Sequence, residues 1–153
     1  MDTLVTTLRD HLFLRGLDDA HLARIAGCAC LVDFPGGAFL LREGGEASAL
    51  YLITSGRVTL EIQVPARGAV QVESLHGGDI LGLHWLFPPR SWVLDARAVT
   101  AVTAVRIDAA GLRALMDGDA ALGYAVSIRL LRQLYDRLER VRLQRLDVYR
   151  KGP

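Results

Sequence analysis

The chain has 153 residues, 51% of them hydrophobic, 23% charged and 7% aromatic. A chain of this size makes one domain that buries roughly 70% of its unfolded surface, which excludes disorder, and 15 Gly, 5 Pro and 2 Cys exclude collagen-like, low-complexity and disulfide-scaffold classes. Eighteen basic against seventeen acidic residues leave a net charge of +1 and no global nucleic-acid footprint.

The N-terminus, Met1 to Asp10, shows no basic region followed by an apolar one, so no secretory signal is read there. No stretch reaches the ~18 consecutive apolar residues of a membrane span. A cytoplasmic location without membrane association is expected. Leu4, Leu8 and Leu12, then Leu14, Leu17, Leu22 and Ile25, recur at helical spacing and predict one or two short helices, punctuated by Gly16. Asp18 or Asp19 would cap the second and Gly27 would end it. Cys28 and Cys30 are too closely spaced for an intrachain bridge, and no second pair completes a zinc site, so both read as idle thiols.

From Leu31 to Ile107 the pattern turns to short apolar or alternating runs: 32–34, 38–41, 50–54, 58–64, 69–75, 92–98 and 100–107. Turn signals every eight to twelve residues point to an all-β sandwich or barrel. The clearest strand sets Val58, Leu60, Ile62 and Val64 on one face and Thr59, Glu61 and Gln63 on the other, then turns through a four-residue loop at Pro65–Gly68. Pro88-Pro89 marks an irregular connection. Helical periodicity returns after Asp108. Leu112, Leu115 and Met116 form a short helix closed by Gly118, and Asp119 caps a long one. In the long helix Leu131, Leu134, Leu138, Val141, Arg145 and Val148 make a heptad seam, on a surface with eight basic and three acidic residues between 129 and 151. The expected organisation is a single domain of N-terminal helices (1–30), β-barrel (31–107) and C-terminal helices (109–149).

The glycine motifs carry more than turn information. Val32-Asp33-Phe34-Pro35-Gly36-Gly37, Leu40-Leu41-Arg42-Glu43-Gly44-Gly45-Glu46-Ala47, Leu50 to Val58 with its Ser55-Gly56 turn, and Leu75-His76-Gly77-Gly78-Asp79-Ile80-Leu81-Gly82 occur in that order. The set resembles the cyclic nucleotide-binding domain of the bacterial catabolite-activator and fumarate-nitrate regulator (Crp/Fnr) superfamily, over nearly the whole chain. The resemblance implies a mainly β fold with α: a double-stranded β-helix, or jelly-roll barrel, with N-terminal helices and a long C-terminal dimerisation helix. It implies a homodimer through that helix, in agreement with the heptad seam. A helix folded back on its own barrel is the alternative.

Relatives that bind cyclic AMP or GMP carry a cassette reading roughly Gly-Glu-Leu, with Arg-Ala or Arg-Ser some ten residues later. Backbone N–H groups and the Arg fork hold the cyclic phosphate, and Glu accepts the ribose hydroxyl. Here Gly82 matches, but Leu83 stands at the glutamate position. Counting back from Arg97-Ala98, Trp92 or Val93 stands at the arginine. Only a shifted alignment brings Arg90-Ser91 onto the pair. Losing one partner of a buried charged pair typically costs about 2–5 kcal/mol, or roughly 30- to 5,000-fold in affinity. The apolar stretch from Leu83 and His84 to Pro89 suits a hydrophobic ligand, a haem face or a partner protein better than an anion.

The candidate ligand-binding pocket therefore comprises Gly82, Leu83, His84, Arg90, Ser91, Trp92, Asp95 and Arg97. Asp95 and Arg97 lie two apart on one strand face. If Val99, Val105 and Ile107 continue that face it points inward, and the pair could hold a polar ligand group; the alternative is an ion pair at the barrel rim. His84 reads as a structural residue rather than a haem ligand, since no Cys-x-x-Cys-His sequence occurs. His11, His21 and His76 lie in separate elements, so neither a metal site nor a metal-dependent cupin is expected. No nucleophile elbow, Walker sequence, dinucleotide fingerprint or paired catalytic carboxylates appear, and no enzymatic activity is expected.

Residues 151–153 after the long helix leave no room for a helix-turn-helix, so specific DNA binding is not expected. Two functions follow. One is a regulatory module that senses a small ligand in the barrel and signals through the C-terminal helix to a separate, unidentified protein partner. The other is a degenerate domain that serves a larger complex as a dimerising scaffold or accessory subunit, with no ligand.

Overall fold

The computed structural model describes the backbone of residues 2–150 and the side chains of residues 3–146. The chain opens with α1 (Asp2–Asp10) and α2 (Asp19–Ala26), as the leucine spacing predicts. The Asp18 carboxylate accepts the Ala20 N–H at 2.9 Å and caps α2; Gly27 ends it, its N–H donating to the carbonyls of Arg24 and Ile25. Leu8, Phe13, Leu14, Leu22 and Ile25 are buried, so the helical entry forms part of the core.

Eight strands follow: β1 (Ala29–Phe34), β2 (Phe39–Leu41), β3 (Ala49–Ser55), β4 (Arg57–Val64), β5 (Gly68–His76), β6 (Ile80–Leu81), β7 (Asp95–Ala98) and β8 (Val102–Asp108). They form two antiparallel four-stranded sheets, ordered β1-β8-β3-β6 and β2-β7-β4-β5. This interleaving is the jelly roll, and the fold is the one expected from the sequence. Val58, Leu60, Ala96 and Ala98 of one sheet and Leu50, Leu52, Ala104 and Val105 of the other are all buried. Gly56 makes the tight β3–β4 turn with φ +93°, and a side chain there would run into the Ala101 carbonyl and Val102.

Several boundaries differ from the expectation. The β4–β5 loop has three residues, because Gly68 already pairs with Val64. The strand expected from Trp92 begins only at Asp95. Trp92 instead exchanges main-chain bonds with the glycine loop, donating to the Gly45 carbonyl at 2.9 Å and accepting the Gly44 N–H at 2.8 Å. Cys30 is exposed and Cys28 half-buried; both are free thiols.

After the barrel come α3 (Ala109–Gly118) and α4 (Ala120–Arg150). Asp108 caps α3 through the Gly111 N–H at 2.8 Å; Asp119 caps α4 through the N–H groups of Ala121 and Leu122. Asp119 also ties the base of α4 to α2 through Arg24. Leu122, Val126 and Leu130, four residues apart, are buried and anchor the first half of α4. The second half turns its apolar residues to solvent: Leu131, Leu134, Leu138 and Val141 of the expected seam are all exposed, as is Arg145. The Val148 side chain lies outside the described residues. Among the described residues no helix is long and apolar enough to cross a membrane.

Candidate functional site

β6 delivers the chain to Gly82, which adopts φ +100°. The Trp92 indole lies against this glycine so closely that a Cβ there would stand 2.7 Å from the ring. The segment after Gly82 forms turns rather than a helix. Its Trp85 is wholly buried, the indole N–H donating to the Gly82 carbonyl at 3.0 Å, and Arg113 of α3 donates to the Trp85 carbonyl at 2.6 Å. Trp85 therefore pins the cassette to the core and is not available to a ligand. Phe87, at 72% exposure, stands at the opposite extreme.

A cavity of about 260 Å³ opens beside Gly82. Leu41, Leu60 and Leu81 supply its barrel wall, Gly82, Leu83 and His84 its cassette wall, Trp92, Val93 and Leu94 a third side, and Leu134 and Arg137 of α4 the cover. His84 packs edge-on against Trp92 with ring centroids 6.2 Å apart. A neighbouring groove of about 360 Å³ runs along Pro88, Pro89, Arg90 and Ser91 to Leu130 and shares Leu83, His84, Val93 and Leu134 with the cavity. Arg90 has φ +54°; its carbonyl accepts the Ala47 N–H at 2.7 Å, and its own N–H donates to the Phe87 carbonyl at 3.0 Å. The Arg90 Nε is buried without a hydrogen-bond partner among the described residues.

Six of the eight expected pocket residues thus gather around these two spaces: Gly82, Leu83, His84, Arg90, Ser91 and Trp92. Asp95 and Arg97 do not. Ala96 and Ala98 face the core, so the alternate residues Asp95 and Arg97 take the outer face of the sheet. They do not pair with each other either. Asp95 accepts the Glu43 N–H at 2.8 Å and the Gln63 amide at 3.3 Å and meets Arg42 at 3.5 Å. The Glu43 N–H, then Gln63 and Arg42, hold its carboxyl below the usual carboxylate range despite burial. Arg97 binds Glu61, which keeps its guanidinium still more firmly protonated.

Arg137 and Glu73 were not singled out by the sequence. Arg137 counted only as part of a basic helix surface. In the fold its Nε lies 3.5 Å from Glu73 of β5, and the same carboxylate oxygen is 3.6 Å from Arg140. No local pattern announces a contact between residues so far apart in the chain. Among the described residues no group of three or more His, Cys, Asp or Glu is placed to hold a metal ion.

The family model described as "Cyclic nucleotide-binding domain" matches residues 31–119, from β1 through α3. The CRP-like cAMP-activated global transcriptional regulator of Mycobacterium tuberculosis is 29% identical over 126 residues, 82% of this chain and 54% of the relative. The chain thus spans about half the length of the curated relatives it matches. Among solved structures, a protein from Geobacter metallireducens named for cyclic nucleotide binding is 29% identical, with a TM-score of 0.77 over 87% of this chain and 96% of that one. A cyclic nucleotide-binding domain from Methylobacillus flagellatus is similar in fold, with a TM-score of 0.80 at 20% identity over 91% of this chain and 80% of that one.

Proposed function

The chain belongs to the cyclic nucleotide-binding domain family, and on that footing we propose that it is a non-catalytic regulatory module of the cytoplasm. A small ligand enters the cavity beside Gly82, biases α4, and a separate protein partner reads the change. One observation carries this reading: Leu134 belongs at once to the cavity, to the adjoining groove and to the exposed apolar face of α4. A ligand that fills the cavity therefore touches the helix directly, and it shifts the helix by as much as it prefers one arrangement over another. The same exposed face, Leu131, Leu134, Leu138 and Val141, supports a homodimer formed through α4.

The ligand is not an ordinary cyclic nucleotide. Leu83 offers no acceptor for a ribose hydroxyl, and the Trp92 indole covers the glycine whose backbone would face a cyclic phosphate. These substitutions also favour a second reading, a dimerising scaffold or accessory subunit with no ligand at all.

Thermal-shift titration separates the two, because a bound ligand raises the midpoint in proportion to RT ln(1 + [L]/Kd). Cyclic AMP and cyclic GMP leave the midpoint in place at millimolar concentration, whereas a ring-sized apolar probe, 1-naphthylmethanol, raises it. No response to any apolar or nucleotide probe leaves the scaffold reading standing. A micromolar response to cyclic AMP that Arg90→Gln abolishes restores the ordinary nucleotide receptor.

A further inference from the structure

The cavity beside Gly82 is apolar on nearly every side, and its two ionisable lining residues, His84 and Arg137, are both of the basic kind. Among the described residues no carboxylate lines it or the adjoining groove. At about 260 Å³ it is slightly smaller than the usual range of small-molecule sites, so its occupant is compact. Arg137 is the cation that α4 contributes. Its contact with Glu73 is long at 3.5 Å, against roughly 2.7–2.9 Å for a well-formed charge-assisted bond, so its guanidinium fork is loosely held. Arg140 stands 3.6 Å from the same Glu73 oxygen and keeps that carboxylate neutralised should Arg137 turn away.

We infer that the cavity binds a small organic anion, a ring-sized apolar body bearing one carboxylate, and that this carboxylate takes Arg137 from Glu73. The inference rests on the reading of this cavity as a ligand site. The apolar body meets the leucines and the Trp92 indole, and the carboxylate meets the one cavity residue that is both a planar two-pronged donor and part of α4. Exchange of Glu73 for the ligand as the partner of Arg137 releases one of the two ionic ties between β5 and α4 among the described residues. Binding and helix position are thereby coupled through a single side chain. No bond is made or broken in the process.

The test compares three probes of one shape, 1-naphthoate, 1-naphthylmethanol and 1-naphthylmethylamine, by calorimetry and thermal shift on the full chain. 1-Naphthoate binds about tenfold or more tightly than the alcohol, as one charge-assisted bond predicts, and the amine binds weakest. Arg137→Gln brings 1-naphthoate to the level that the alcohol reaches in the same variant. Glu73→Gln, which removes the competitor, tightens 1-naphthoate about two- to fivefold without altering the alcohol, a gain that a merely structural role for Glu73 would not give. Equal binding of acid and alcohol overturns the inference while the apolar ligand site stands. Loss of 1-naphthoate preference in Arg90→Gln but not in Arg137→Gln overturns it as well, by assigning the anion to the groove. Absence of binding by all three probes removes the ligand-site reading itself.

Discussion

Glu61 and Asp95 stand directly opposite each other across β4 and β7, yet each carboxylate has its own arginine, Arg97 for the first and Arg42 for the second. Like charges so placed repel, and the two arginines with the Glu43 N–H offset the repulsion. Asp95 is only 2% exposed, so its hydrogen bonds are not shared with bulk water. Asp95→Asn lowers stability at neutral pH by about 1–2 kcal/mol. Because folding depresses the Asp95 pKa, its contribution is fully present above the ordinary value of 3.8 and is lost as pH falls through the lower folded value. Urea unfolding of both proteins from pH 7 to pH 3 checks this: the gap narrows on acidification. A constant gap would count against the assignment.

His11 titrates in the opposite chemical sense with the same pH direction. Its ring is 5% exposed, accepts the Phe13 N–H at Nδ1 and lies 2.8 Å from the Ile53 carbonyl through Nε2, which fixes the neutral Nε2–H tautomer. Burial pulls its pKa below 6.5, against the opposing pull of Ile53 and Asp79. Stability is therefore complete above pH 6.5 and lost as pH falls through the folded pKa. Thermal midpoints between pH 7.5 and pH 5 decline in the wild type, and the slope over that window flattens in His11→Gln. Parallel slopes would dismiss His11 as the titrating group.

Two glycines of positive φ differ in what surrounds them. Gly56→Ala meets the Ala101 carbonyl and Val102, and costs about 3 kcal/mol or more from strain and overlap together. Gly37→Ala finds open space and costs about 1 kcal/mol from backbone conformation alone. Chemical denaturation ranks the two, and equal losses would refute the packing account of the β3–β4 turn.

Leu138 is exposed, belongs to the seam and does not line the cavity, so it isolates assembly from ligand binding. Light scattering on the wild type gives twice the chain mass, and Leu138→Asp gives the single-chain mass with an unchanged thermal-shift response to 1-naphthylmethanol. Identical masses would remove α4 from the dimer account.

The elements legible in the sequence were those whose signals are local. Asp18, Gly27 and Asp119 announce helix ends because capping involves neighbours in the chain, and β4 shows its alternation from Val58 to Val64. Strand β6 has two residues, too few to display a period. The start of β7 was misplaced because Trp92 spends its main-chain bonds on the Gly44-Gly45 loop, a distant partner. The face of Asp95 and Arg97 stayed open between pocket and rim for a related reason: alternation cannot be carried past Ala98, where the strand ends, to Val99 and on to β8 in the other sheet. At the site, the cassette residues were legible from motif order. Arg137 and Glu73 were not, since only the return of α4 over β5 unites them.

The tie between Asp119 and Arg24 fixes α4 at its origin, while Leu134 and Arg137 touch the cavity near its middle. At about 1.5 Å per residue, the 31-residue helix is a rod of roughly 45 Å. On the proposed mechanism such a rod works as a lever: Leu122, Val126 and Leu130 hold its first half, and a push at Arg137 grows along the free second half towards the tip. Mechanical gain of this kind lets an occupant of modest size displace the far end of an apolar face whose near end, Leu134, it already touches.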